Sequence, residues 1–263
     1  MPHGDALEED AKQQTSDLFD DWAEHYATER ERTPYFQAQM AIALSMLAGE
    51  TGRVLDIGCA GGGEITELRK RGFAVVGIDL SPRMLVFARR RFAGDAGSHF
   101  CRADVERLPF STQSMDHVVC LGVFEFLQDY QAAILEIHRV MRPGGVVMFA
   151  IPSRISLYNL TDRLVSNTAG PLWRMAKRLL GRKPAVPAAP PLERNLVVPW
   201  RFQALLRQHG FAPERNRSSN FFIYPLDRFP ELNMRVAAAL EPLCSVPGLR
   251  WAASVYLVSA RKK

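Results

Sequence analysis

Short apolar runs alternate with stretches whose apolar residues return every three or four positions, from about residue 53 to residue 151. The first run, Val54-Leu55-Asp56-Ile57, ends in the small residues Gly58-Cys59-Ala60-Gly61-Gly62-Gly63, and Glu64 to Lys70 then reads as a helix. That pattern predicts a buried strand, a tight turn and a helix start. Ala74–Ile78, His99–Ala103, Met115–Gly122 and Val146–Ile151 predict further strands. Ser81-Pro82 opens a helix, with proline where a missing N–H costs least. It turns Met84, Leu85, Phe87 and Ala88 inward and Arg89, Arg90 and Arg91 outward. Tyr130–Met141 repeats the helical period through Ile134, Leu135, Ile137, His138 and Met141. Strands alternating with helices at this rhythm specify an α/β fold with a parallel sheet.

The flanks read differently. Residues 1–14 are polar and acidic and are expected to fray. A helix starts at Asp17, with Leu18, Phe19, Trp22, Ala23 and Tyr26 at helical spacing, and a second spans Tyr35 to Leu47. Residues 1–48 thus form a helical lid, unless their aromatics serve only the core. After the strand ending at Ile151, 48 residues precede Trp200, too many for a simple connection. Leu157, Leu160, Leu164 and Val165 give one apolar face there. Residues 172–183 give a second, with Trp173 on its apolar side and Arg174, Lys177, Arg178, Arg182 and Lys183 opposite. Trp200–His209 predicts a helix stopped by Gly210, Phe211 to Tyr224 a sixth strand, Pro230–Leu243 a helix and Val255–Ala260 the last strand. The divisions expected are 1–48, 49–153, 154–198 and 199–263.

Charge sharpens this picture. The net charge of +5 is uneven: residues 154–217 hold twelve Arg or Lys against Asp162, Glu193 and Glu214, and the remainder holds 21 against 25 acids. A basic amphipathic helix bearing tryptophan has the composition of a membrane-interface segment, which makes peripheral membrane contact through 172–183 one reading. A helix laid over the active site is the other. The arginines are not interleaved with aromatics that could stack on bases, so nucleic acid is not the expected partner. Cys59, Cys101, Cys120 and Cys244 form no CxxC pair, and no apolar run reaches the length of a membrane span. A reduced cytoplasmic protein is expected, at most peripheral to a membrane.

The chemistry is carried by the glycine run and by Asp79, sixteen residues beyond Gly63 at the end of the second strand. Glycine lets backbone turn sharply and a ligand come close. A helix N-terminus offers N–H groups to an anionic group, and a carboxylate at the second strand tip can accept both hydroxyls of a ribose. These residues point to a nucleoside cofactor on a βαβ unit.

Five blocks extend the pattern: Leu18–Tyr26, Val54–Gly63, Gly77–Ser81, Ala103–Phe110 and Met141–Gly145. In this order and spacing they resemble the class I methyltransferases that use S-adenosylmethionine, closest to the small-molecule branch that includes ubiquinone and menaquinone biosynthesis. The resemblance implies a Rossmann-like three-layer sandwich with a seven-stranded, mostly parallel sheet and an antiparallel last strand. It also implies that Asp56 and the loop Gly58, Cys59, Ala60 and Gly62 hold the cofactor's methionine end. Asp79, followed by Leu80, would clamp the ribose; Asp104 and the Val105 N–H would meet the adenine, and Leu121 would lie beneath the methyl donor.

Two departures stand out. Ala60 occupies a position where the family usually has glycine, which is tolerable if its φ is negative. Glu125-Phe126 replaces a Glu-His pair, so no metal is expected. If the acceptor must lose a proton, the candidate bases are His25, Tyr26, Tyr158 and Glu125. The expected reaction is methyl transfer to oxygen or carbon of a hydrophobic or lipid-linked small molecule. The alternatives are an RNA or protein methyltransferase using the basic insertion, or a cofactor-binding module without turnover.

Overall fold

Side chains alternate across a strand, so a run that is apolar at every position must be covered on both faces. The computed structural model, which describes residues 2–47, 49–127, 129–168, 195–222, 230–246 and 248–263, shows that arrangement. Its strands are β1 (Arg53–Ile57), β2 (Ala74–Asp79), β3 (Ser98–Arg102), β4 (His117–Leu121), β5 (Val146–Pro152), β6 (Phe211–Ser219) and β7 (Val255–Lys262). Its helices are α1 (Pro2–Thr28), α2 (Pro34–Ser45), α3 (Gly63–Lys70), α4 (Pro82–Arg91), α5 (Tyr130–Val140), α6 (Leu157–Thr168), α7 (Pro199–Gln208) and α8 (Pro230–Leu240). The sheet order is β3-β2-β1-β4-β5-β7-β6. The first five strands are parallel, and β7 runs antiparallel between β5 and β6.

Val54, Val75, Val119 and Met148 bury one face with Met40 and Leu44 of α2, Ile65 and Leu68 of α3 and Leu85 of α4. Leu55, Ile57, Val118 and Phe149 bury the other with Ile134 and Ile137 of α5 and Phe202 and Leu206 of α7. Phe149 is fully buried, its ring edge-on to Phe124 at 4.9 Å and to Phe202 at 5.3 Å. The register sets Ile57 beside both Ile78 and Cys120, so β1, β2 and β4 end together. The strand order reverses between β1 and β4, and such a switch point opens a crevice at the carboxyl ends of the strands.

The flanks differ from the sequence reading in four places. The first helix begins at Pro2, not Asp17. Its polar turns find partners locally, Gln14 with Asp10 and Gln13 with Asp17, and across the molecule through Lys12. The sixth strand stops at Ser219, short of Tyr224, because Asn220 takes φ +64° and breaks the extended backbone. The helix from Pro230 gives way at Leu240 to a 3-10 turn, Glu241–Ser245, that contains Pro242. The last strand runs on through Lys262, whose ammonium donates to the carbonyls of His138 and Met141. In α6, Leu157 packs with Phe221 and Cys244, but Leu160 and Leu164 are exposed. The amphipathic stretch 172–183 lies outside the described residues. Among those described, no helix is long and apolar enough to cross a membrane.

Candidate active site

The first turn after β1 admits no ordinary side chain. Gly58 has φ +73°, and a Cβ there would lie 2.2 Å from a Val123 methyl. Its N–H and that of Cys59 donate to the Ile78 carbonyl, tying the loop to the end of β2. Gly62, at φ +85°, precedes α3 and lies against the Phe92 ring, 2.7 Å from where a Cβ would be. Ala60 also has positive φ, +44°, so the expectation of a negative angle does not hold. The left-handed region costs an L-residue about 1–2 kcal/mol, although the methyl recovers part of this by packing with Ala23 and Met84. Ala60→Gly is therefore expected to stabilise the fold by about 0.5 kcal/mol, the gain limited by glycine's freer unfolded chain. Denaturant titration reads this, and a loss of stability would contradict it.

Asp79 is fixed from two sides. One carboxylate oxygen accepts from the Ala60 N–H at 3.0 Å, the other from the Ser81 N–H at 2.9 Å. Ser81 caps α4 by accepting from the Met84 N–H, while Asp20 of α1 accepts from the Ser81 hydroxyl and from the Arg83 N–H. After β3, Asp104 accepts from the Glu106 N–H at 2.9 Å and pairs with Lys12 of α1 at 2.8 Å.

Gly58, Ala60, Asp79, Leu80, Asp104, Val105 and Leu121 line one cavity of about 830 Å³, its open mouth included, at the switch point. Asp56, Cys59 and Gly62 lie behind this wall rather than on it. Of the four candidate bases, Tyr26 is on the wall. His25 is exposed and paired with Glu29 at 3.2 Å. Glu125 lies in a short 3-10 turn, where its carbonyl accepts from the Asn195 N–H, and Tyr158 stands on α6. The structure adds Lys12, Thr15, Phe19, Phe126 and Leu127 to the wall. Phe19 and Phe126 meet edge-on at 5.1 Å.

A model described as methyltransferase domain matches residues 55–149. The malonyl-[acyl-carrier protein] O-methyltransferase of Enterobacter lignolyticus is 35% identical over 57% of each chain, and this chain spans about half the length of most such relatives. The demethylmenaquinone methyltransferase of Deinococcus radiodurans is 31% identical over 70% of this chain and 77% of its own. The chain belongs to the class I methyltransferase family. A chain of the Haloferax volcanii complex between a methyltransferase activator and a putative methyltransferase shares the fold, at TM-score 0.66 and 20% identity, over 94% of this chain and 96% of that one.

The site of this chain suits the family's cofactor, S-adenosylmethionine, which carries a sulfonium and an ammonium. Four carboxylates, those of Glu31, Asp56, Glu64 and Asp79, crowd around the glycine loop. Burial pushes Asp56 well up, and its acidic neighbours push it further. Burial likewise lifts Glu64 to about 7 and Asp79 to about 6, the latter against the pull of its N–H donors. Glu31 is raised by burial even though Arg91 sits at 2.7 Å. One oxygen each of Asp56 and Glu31 is buried with no hydrogen-bond partner. Burial and mutual repulsion in such a cluster favour the approach of a cation. Glu31 and Glu64 escaped the sequence reading because each looks like an ordinary surface acid, one between two helices and one at a helix start.

A pH dependence follows. If Asp79 takes the ribose hydroxyls, they donate to its ionised form, and binding then loses strength as pH falls through about 6. Affinity for the cofactor should drop about tenfold between about pH 7 and pH 5. Calorimetric titration across that range measures it, and a flat profile would contradict the Asp79 assignment. Without ligand the sign is opposite. The folded chain retains a proton that the unfolded chain has released, so this carboxyl's contribution to stability falls as pH rises from about 4 to about 6.

Proposed function

We propose that this chain transfers the methyl group of S-adenosylmethionine to an oxygen or carbon of a hydrophobic or lipid-linked small molecule. The observation that carries this is the make-up of the cavity. Its acid- and glycine-lined end adjoins a wall of Phe19, Leu121, Val123, Phe126 and Leu127. The activities of the relatives, on malonyl-[acyl-carrier protein] and demethylmenaquinone, support an acceptor outside the nucleic acids.

In this reading Asp79 takes the ribose hydroxyls, a charge-assisted arrangement, and Leu80 flanks it. Asp104 and the Val105 N–H take the adenine edge. Asp56 and the loop of Gly58, Cys59, Ala60 and Gly62 take the methionine end, and Leu121 floors the site beneath the methyl donor. When bound, the sulfonium supplies an already electrophilic methyl group, so the protein's main work is alignment. Holding nucleophile, methyl carbon and sulfur in line contributes about 7–11 kcal/mol to lowering the barrier. The apolar wall keeps water from competing with the acceptor. Tyr26, on the wall, is assigned the proton-handling role ahead of His25, Glu125 and Tyr158, which are not on it. Peripheral membrane contact through 172–183, read from the sequence alone, would suit a lipid-linked acceptor.

The deciding experiment incubates the protein with methyl-labelled cofactor and a cell extract, then fractionates the products. Label in the lipid or small-molecule fraction supports the proposal. Label in RNA or protein, or in no fraction, overturns it in favour of one of the other readings.

A further inference from the structure

Lys12, Ser16 and Asp20 stand four residues apart on one face of α1, and each reaches the segment that follows β2 or β3. Asp20 accepts from the Arg83 N–H at 3.1 Å, and the Ser16 hydroxyl donates to the Leu80 carbonyl at 3.1 Å. Lys12, at the far end, lies 2.8 Å from Asp104 Oδ2 and also pairs with Glu106. Asp104 Oδ1 is engaged by the Glu106 N–H, and Glu106 accepts from the Asp129 N–H at 3.1 Å. The two acids thus form a rigid acceptor pair around one ammonium. All three side chains line the cavity. Lys12 and Asp104 are each a quarter exposed, whereas Glu106 is 5% exposed.

The oxygen that Lys12 holds belongs to the residue assigned to the adenine amino group. An ammonium and an aromatic amino group are both N–H donors, and they compete for the same acceptor. We propose that Lys12 is a displaceable stand-in for the adenine amino group. Its ion pairs clip the N-terminal turns of α1 over the adenine end, and the entering purine takes Asp104 from it. The Ser16 and Asp20 contacts hold the rest of the helix, so release is confined to its first turns. The clip makes the empty site self-satisfied at the cost of cofactor affinity.

This inference rests on Asp104 being the adenine acceptor, and the test separates the two. S-adenosylhomocysteine, which bears no net charge, is titrated into wild-type protein, Lys12→Gln and Lys12→Arg by calorimetry. Lys12→Gln should bind about fivefold tighter, the equivalent of removing a competing pair worth about 1 kcal/mol. Wild type and Lys12→Arg should gain affinity between about 0.02 M and about 0.3 M salt as the clip is screened, whereas Lys12→Gln should not. Weaker or unchanged binding by Lys12→Gln would overturn the clip and make Lys12 a brace on the bound cofactor or a bystander. Asp104→Ala checks the underlying assignment: it should weaken binding whether or not Lys12 is replaced. If it does not, the adenine assignment fails, and the clip with it.

Discussion

Asp79→Ala is expected to weaken binding of S-adenosylmethionine at least about 100-fold. Hydrogen bonds to a charged group contribute about 1.5–3 kcal/mol each, and a ribose diol makes two. Deleting the carboxylate also leaves the Ala60 and Ser81 N–H groups without their acceptor, so the loop proposed to receive the methionine end loosens as well. Asp79→Asn separates the effects. It keeps the shape and one acceptor, and should cost about tenfold. Calorimetric titration of both variants reads the difference, and unchanged affinity in Asp79→Ala would remove the ribose from β2. The sign of the pH effect belongs to the same carboxyl, so Asp79→Asn should also flatten the profile between about pH 5 and pH 7.

Phe149→Ala is expected to cost about 3–5 kcal/mol of stability, the range for removing a buried aromatic ring. Phe149 sits at the centre of β5, and its ring is shared by Phe124 at the edge of the site and Phe202 on α7. Loss of the ring opens a cavity between sheet and helix that neither neighbour can fill without leaving its own contacts. The denaturation midpoint should fall without a change in slope. An unchanged midpoint would mean that this face of the sheet is not packed as described.

The βαβ unit and its glycine turn were legible in the sequence because both signals are local. Apolar runs give the strands, and the residues between Ile57 and Glu64 are too small for anything but a turn. Position along one helix accounts for the different fates of two neighbours named together as candidate bases. Phe19, Ala23 and Tyr26 share a stripe facing the site, which leaves His25 about a quarter turn away and exposed. The first turns of α1 were not legible, since their support comes from Asp104 and Glu106, some 90 residues distant along the chain. The positive φ of Ala60 was likewise hidden, because nothing in an alanine marks the left-handed region. The buried acids Glu31 and Glu64 became visible only when the fold brought them to Asp56.

A crystal structure of the protein soaked with S-adenosylhomocysteine decides where the cofactor binds. The adenosine is expected in the cavity between the ends of β1, β2 and β4, with the ribose hydroxyls about 3 Å from the Asp79 carboxylate. Adenosine bound anywhere else, or with its ribose turned away from Asp79, would contradict this placement.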